Sequence, residues 1–232
     1  PLVLRQADLL TLVDQRPMTD AIFVHGSCVR DDGLDDLILH MASSVAKKEG
    51  IDVVINGLPD EVCIAKNLAY PGGDTWARKL KGMGIDSLVK IDPSPHTPAE
   101  CRNMIALADI MGYKTLTIAA FPHHTLRVMC QWTYLLNQAG SSIKVYARTM
   151  GTVDWNMKAR KPVLGGGVVE GTLFDHMEHE LKQLALYADL NCFVTPEGVM
   201  VPASQAGPDD KQKYTPNATL EELIEYYRKR DE

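Results

Sequence analysis

Short, continuous apolar runs alternate with stretches of helical period through the first two thirds of this chain. The runs lie at 21–25, 52–56, 87–91, 114–119 and 143–147, are rich in Val, Ile and Leu, and have the length of buried strands. Between the first two, Leu34, Leu37, Ile38, Met41 and Val45 recur at helical spacing, which predicts a helix over 35–48 with Gly50 as its stop. Further helices are predicted over 75–83, closed by Gly84, over 98–111, stopped by Gly112, and over 128–138, with an opening helix near 9–13 that ends before Pro17. Strands joined through helices imply right-handed βαβ crossovers. The expected fold is therefore α/β: a Rossmann-like, doubly wound, mainly parallel sheet of about five strands, helices on both faces and the first strand central.

After residue 150 the pattern changes. A Gly-rich loop at 163–167 precedes a predicted helix over 172–188 with Leu173, Met177, Leu181, Leu184 and Leu186 inward. A hairpin is expected over 193–204 about Pro196-Glu197-Gly198, then a polar linker over 206–216. Thr219-Leu220-Glu221-Glu222 is a capping box that opens a final helix to about residue 229. The three glycines fit neither GxGxxG after a strand nor GxxxxGK[ST], so they read as a turn or hinge rather than a phosphate loop. Residues 1–150 are expected to form the core, and 151–232 an extension packed on it.

Composition narrows the partners. With 45% hydrophobic and 23% charged residues the 232-residue chain is an ordinary globular one. A net charge of −6 and a pI near 5.6 argue against a nucleic-acid or anionic-membrane surface, which would need a basic stripe. Five cysteines in no CxxC or CxxH spacing read as reduced thiols. No apolar run approaches a membrane span and no signal peptide is visible, so a cytoplasmic protein with a small-molecule ligand is expected.

Polar groups gather where strands end, the edge at which open parallel sheets bind ligands. His25-Gly26-Ser27 follows the first strand, Asn56-Gly57 the second, Thr97 and Glu100 the third, and His123, His124 and Arg127 the fourth. Thr97, Pro98 and Glu100 have the pattern of a helix start, whose N–H groups favour an anion. Arg127 follows His124 by three residues and shares its face if the helix has begun, so the guanidinium can hold a carboxylate or phosphate beside the imidazole. His124 and Glu100 are the candidate catalytic groups; His25, Gly26, Ser27, Asn56, Gly57, Thr97, His123 and Arg127 are the candidate ligand contacts. His25 reads equally well as a structural histidine. His123 and His124, being adjacent, point apart, and only composition favours a metal on Asp92, His96 and His123, so no metal is expected.

The order of these motifs resembles the SanA/ElyC/YdcF-like family over about residues 20–148. The marks are a strand leading to His25-Gly26, a second leading to Asn56-Gly57, Thr97-Pro98-Ala99-Glu100 opening a helix, and a strand running into His124-Thr125-Leu126-Arg127. The chain departs from the pattern at Leu58, where the family has Gly, at Cys101, where it has Asn, and at Ala119-Ala120-Phe121-Pro122, where hydroxyl residues are usual. The resemblance implies a Rossmann-like sheet with a polar pocket at the strand ends, and no agreed reaction. Two functions follow as expectations: an enzyme acting on a phosphorylated, nucleotide-type or otherwise anionic small molecule, or a non-catalytic module that binds a nucleotide-type ligand such as S-adenosylmethionine.

Overall fold

The computed structural model describes residues 17–149, 154–162, 168–188, 192–194, 200–202 and 217–232. The expected opening helix near 9–13, the glycine loop at 163–167, the turn at 196–198 and the linker at 206–216 lie outside them. The elements, in chain order, are β1 (Ala21–Val24), α1 (Asp32–Glu49), β2 (Asp52–Asn56), α2 (Asp60–Ala65), α3 (Gly73–Gly82), β3 (Leu88–Ile91), α4 (Thr97–Met111), β4 (Thr115–Ala119), α5 (Pro122–Ala139) and β5 (Lys144–Arg148). They continue with β6 (Lys158–Pro162), β7 (Val168–Thr172), α6 (Leu173–Ala188), β8 (Cys192–Val194), β9 (Met200–Pro202) and α7 (Leu220–Asp231).

β1 to β5 form one all-parallel sheet in the order β3-β2-β1-β4-β5, with Ala21 opposite Asp52 on one side and Leu116 on the other. The chain winds outward from β1 to β3, then crosses back to lay β4 against the free side of β1. The ends of β1 and β4 are thus the switch point, where adjacent loops run to opposite faces and leave a natural ligand edge. Successive side chains of a strand point to opposite faces, so each strand feeds two cores. Phe23, Val54, Leu116, Ile118 and Val145 pack with Met104 of α4, Trp132 of α5 and Leu223 of α7. Ile22, Val24, Val53 and Ile55 pack with Leu34 and Ile38 of α1 and Trp76 and Leu80 of α3.

Three features differ from the sequence reading. First, α5 starts at Pro122 rather than near residue 128. Proline there has its φ already set for a helix and lacks an N–H that would go unused, and the Phe121 carbonyl accepts from the N–H groups of His124 and Thr125. His123, His124 and Arg127 are therefore helical, and His124 and Arg127 lie on one face. Second, β6 and β7 form an antiparallel pair, tied to the loop after β1 by a bridge between Arg30 and Arg160. Third, the short helix α2 lies between β2 and α3, where the sequence reading places no element.

β8 and β9 pair antiparallel, as the expected hairpin requires. The capping box at Thr219 and Glu222 has both of its hydrogen bonds. α6 and α7 both pack on α5, and Arg230 of α7 donates to the Val145 carbonyl at 2.8 Å while stacking over Tyr146 and Tyr227. No helix among the described residues is long and apolar enough to cross a membrane.

Candidate active site

The candidate residues collect at the C-terminal edge of the sheet in three groups. The first is a closed knot around Glu100, which α4 carries into the space beyond β1 and β2. Its Oε2 faces His25 Nδ1 at 2.9 Å, and its Oε1 accepts from the Gly26 N–H at 3.1 Å and from Asn56 Nδ2 at 2.9 Å. Trp132 Nε1, which can only donate, gives its proton to His25 Nε2 at 2.9 Å. The Nε2 lone pair is thereby used, the ring proton sits on Nδ1, and Nδ1–H donates to Glu100. Burial pushes the Glu100 carboxyl up, but the donors from His25, Gly26 and Asn56 outweigh it and hold the group below its ordinary value. Asn56 is saturated as well: Nδ2 also donates to the Ser94 carbonyl, and Oδ1 accepts from the N–H groups of Leu58 and Ser94. His25, Gly26, Asn56 and Glu100 thus spend these polar atoms on one another and on Trp132, Ser94 and Leu58. They set where the loops after β1, β2 and β3 lie.

Ser27 and Gly57 also face inward. Ser27 donates to Asp35, whose other oxygen accepts from Trp76 Nε1 at 3.3 Å. Gly57 donates its N–H to the Ile91 carbonyl, and a Cβ on it would run into that same oxygen, so the glycine is there for a close approach of backbones.

The second group is centred on Glu180 of α6, only 2% exposed. His124 Nδ1 lies 2.7 Å and Arg127 Nε 2.5 Å from Glu180 Oε2, and Lys161 Nζ of β6 lies 2.5 Å from Oε1. Arg127 Nη2 also approaches His124 Nδ1, at 3.2 Å. A guanidinium only donates, so were Nδ1 to accept from it, its lone pair would face the carboxylate at the shorter distance. The proton is therefore on Nδ1 and goes to Glu180. That leaves the lone pair on Nε2, which faces the Thr97 hydroxyl at 3.4 Å.

The charges in this group agree with that assignment. Burial and the neighbouring Arg127 cation push His124 down to about 4, so the imidazole is neutral near pH 7. For Glu180, burial alone would raise the carboxyl, but Arg127, Lys161 and His124 hold it well below its ordinary value. Two cations thus meet one carboxylate, and neither is fully covered: the Arg127 and Lys161 side chains are 13% and 14% exposed.

The third group is a pair, Cys28 Sγ in the loop after β1 and His123 Nε2, 3.0 Å apart across the switch point. Burial pushes the Cys28 thiol up to about 12 and the His123 imidazole down to about 3, so both are neutral. His123 Nδ1 is buried with no partner among the described residues. The four described cysteine side chains are free, and no three His, Cys, Asp or Glu side chains among the described residues come together as a metal site; His96 instead caps α4.

Thr97, His124 and Arg127 therefore share one group, whereas Glu100 and His25 belong to another and His123 faces away from His124. Glu180, Lys161 and Cys28 escaped the sequence reading. A signal for Glu180 was present: with His176 it falls on the inward stripe of α6 that begins at Leu173, and an ionisable residue on an apolar stripe needs a partner. No protein-family model matches the chain, and no curated protein matches it.

Proposed function

We propose that this chain is an enzyme acting on an anionic or nucleotide-type small molecule at the C-terminal edge of its sheet, with His124 as general acid/base, in keeping with the YdcF-like motifs that it resembles. The observation that carries the reading is the orientation of His124: Nδ1–H is held by a buried carboxylate and Nε2 keeps its lone pair toward the half-buried Thr97. A neutral, oriented imidazole is the form that can take a proton. Arg127 and Lys161 stand beside this imidazole as cations whose side chains are 13% and 14% exposed, which favours a negatively charged group nearby.

Thermal denaturation with a panel of nucleotides, sugar phosphates, carboxylates and S-adenosylmethionine identifies a ligand, because binding to the folded state alone raises its stability. Calorimetry and product analysis with that ligand then separate the roles. Arg127→Lys, which loses the planar fork, should weaken binding by about one to three kcal/mol. His124→Gln should spare affinity and lower turnover about 10²-fold or more. Binding of a nucleotide-type ligand with no turnover in the unsubstituted protein would instead make it a binding module.

A further inference from the structure

We infer that the Thr97 hydroxyl is the nucleophile of this site and that the substrate is a carboxylic ester carrying an anionic group. The inference rests on the reading of His124 as general acid/base and adds to it the attacking atom and the scissile bond. Thr97 Oγ1, His124 Nε2, His124 Nδ1 and Glu180 Oε2 form one line of contacts, 3.4 Å and 2.7 Å long, drawn from α4, α5 and α6. Hydroxyl, imidazole and carboxylate in that order are what an unactivated alcohol needs in order to attack: a base within reach, and a third group that fixes the base's tautomer. The end residues are placed for these tasks. Glu180 and His124 are buried, whereas Thr97 is half-buried and can meet a substrate. Thr97 is also the first residue of a 15-residue helix, so charge developing on its oxygen lies at the positive end of α4.

The relay carries one proton, which suits acyl transfer. As Thr97 Oγ1 bonds to the carbonyl carbon, its proton passes to His124 Nε2. When the ester C–O bond breaks, the same proton goes to the departing alkoxide, leaving an acyl-threonine. Water then attacks that carbonyl, giving a proton to His124 Nε2. The bond to Thr97 breaks, the hydroxyl regains the proton, and the acid is released. No electrons are exchanged and no co-reactant besides water is needed. Arg127 and Lys161, beside the relay, supply the attraction for the anionic part of the ester.

An alkyl fluorophosphonate tests the inference without knowledge of the substrate, since an activated hydroxyl displaces its fluoride and keeps the phosphonyl group. Intact mass and fragmentation of the tryptic peptide spanning residues 91–102, which contains Thr97 and Ser94, locate the adduct. One adduct on Thr97 is expected. It should be lost in Thr97→Val, retained in Thr97→Ser and formed about 10²-fold more slowly in His124→Gln, with thermal denaturation reporting that each variant is folded. No adduct on the folded protein, an adduct on Ser94 or elsewhere, or labelling unchanged in Thr97→Val would overturn the nucleophile. If an anionic ligand still binds in that case, and Arg127→Lys weakens it, the anion site stands without the covalent step. Failure of every anionic ligand to bind strikes the parent reading instead.

Discussion

His124 Nδ1 and Glu180 Oε2, 56 residues apart in the chain, are 2.7 Å apart in the fold, and this contact gives the imidazole its working orientation. Glu180→Gln keeps the shape and removes the charge. Arg127 and Lys161 then lose their common carboxylate, and breaking a buried ion pair costs about 3 kcal/mol or more. Stability by urea denaturation should fall by that order. In any variant population that remains folded, fluorophosphonate labelling should slow as strongly as in His124→Gln, because an amide can present its N–H to the ring and favour the wrong tautomer. A destabilised variant that labels at the original rate would show that Glu180 serves the fold alone.

Acid should destabilise the protein well before ordinary carboxylates titrate. His124 and His123 are held near 4 and 3 against an ordinary value of 6.5, so between pH 6.5 and about 4 the unfolded chain takes up protons that the native state refuses. Stability is full above 6.5 and falls as the pH drops through that window. Glu180 and Glu100, both held low, add a loss below about pH 4.3, the ordinary value in the unfolded chain. Urea midpoints at pH 7, 5.5 and 4 should decrease in that order, with a shallower fall in His124→Gln. A midpoint that stays level from pH 7 to 4 would contradict the burial of neutral imidazoles.

The knot around Glu100 predicts a coupling between two distant substitutions. In Glu100→Gln the new amide N–H faces either His25 Nδ1–H or the donors from Gly26 and Asn56, and His25 cannot exchange its proton to Nε2 because Trp132 donates there. One unmatched donor pair in a buried site costs about 1–3 kcal/mol. With Trp132→Phe added, the ring is free to take the other tautomer and accept from the glutamine, so the two losses should sum to more than the double variant shows. Strict additivity in a double-mutant cycle would refute this tautomer assignment.

The fold is legible in the sequence only in part. Val53-Val54-Ile55 and the run over 115–119 announce buried strands because both faces of a parallel sheet are covered, and an apolar run has few other homes. Gly50 and Gly112 mark helix ends because each adopts a positive φ there. The strand β6, Lys-Ala-Arg-Lys-Pro, gave no such signal: a two-stranded ribbon with one thin buried contact at Ala159 needs no apolar alternation. Lys161 was missed with it. The motif residues after β1 to β4 were legible as a set, but their division was not. Which of them close on one another, as Asn56 and Glu100 do, depends on contacts between segments 44 residues apart.

The role given to His124 stands or falls with its tautomer. Long-range ¹H–¹⁵N correlation spectra of the protein, assigned through His124→Gln, distinguish a protonated ring nitrogen from one with a free lone pair. The expected result is a neutral ring at pH 7 with the proton on Nδ1 and the lone pair on Nε2, persisting as the pH is lowered toward about 4. A proton on Nε2, or a ring that charges with the ordinary midpoint near 6.5, would contradict it.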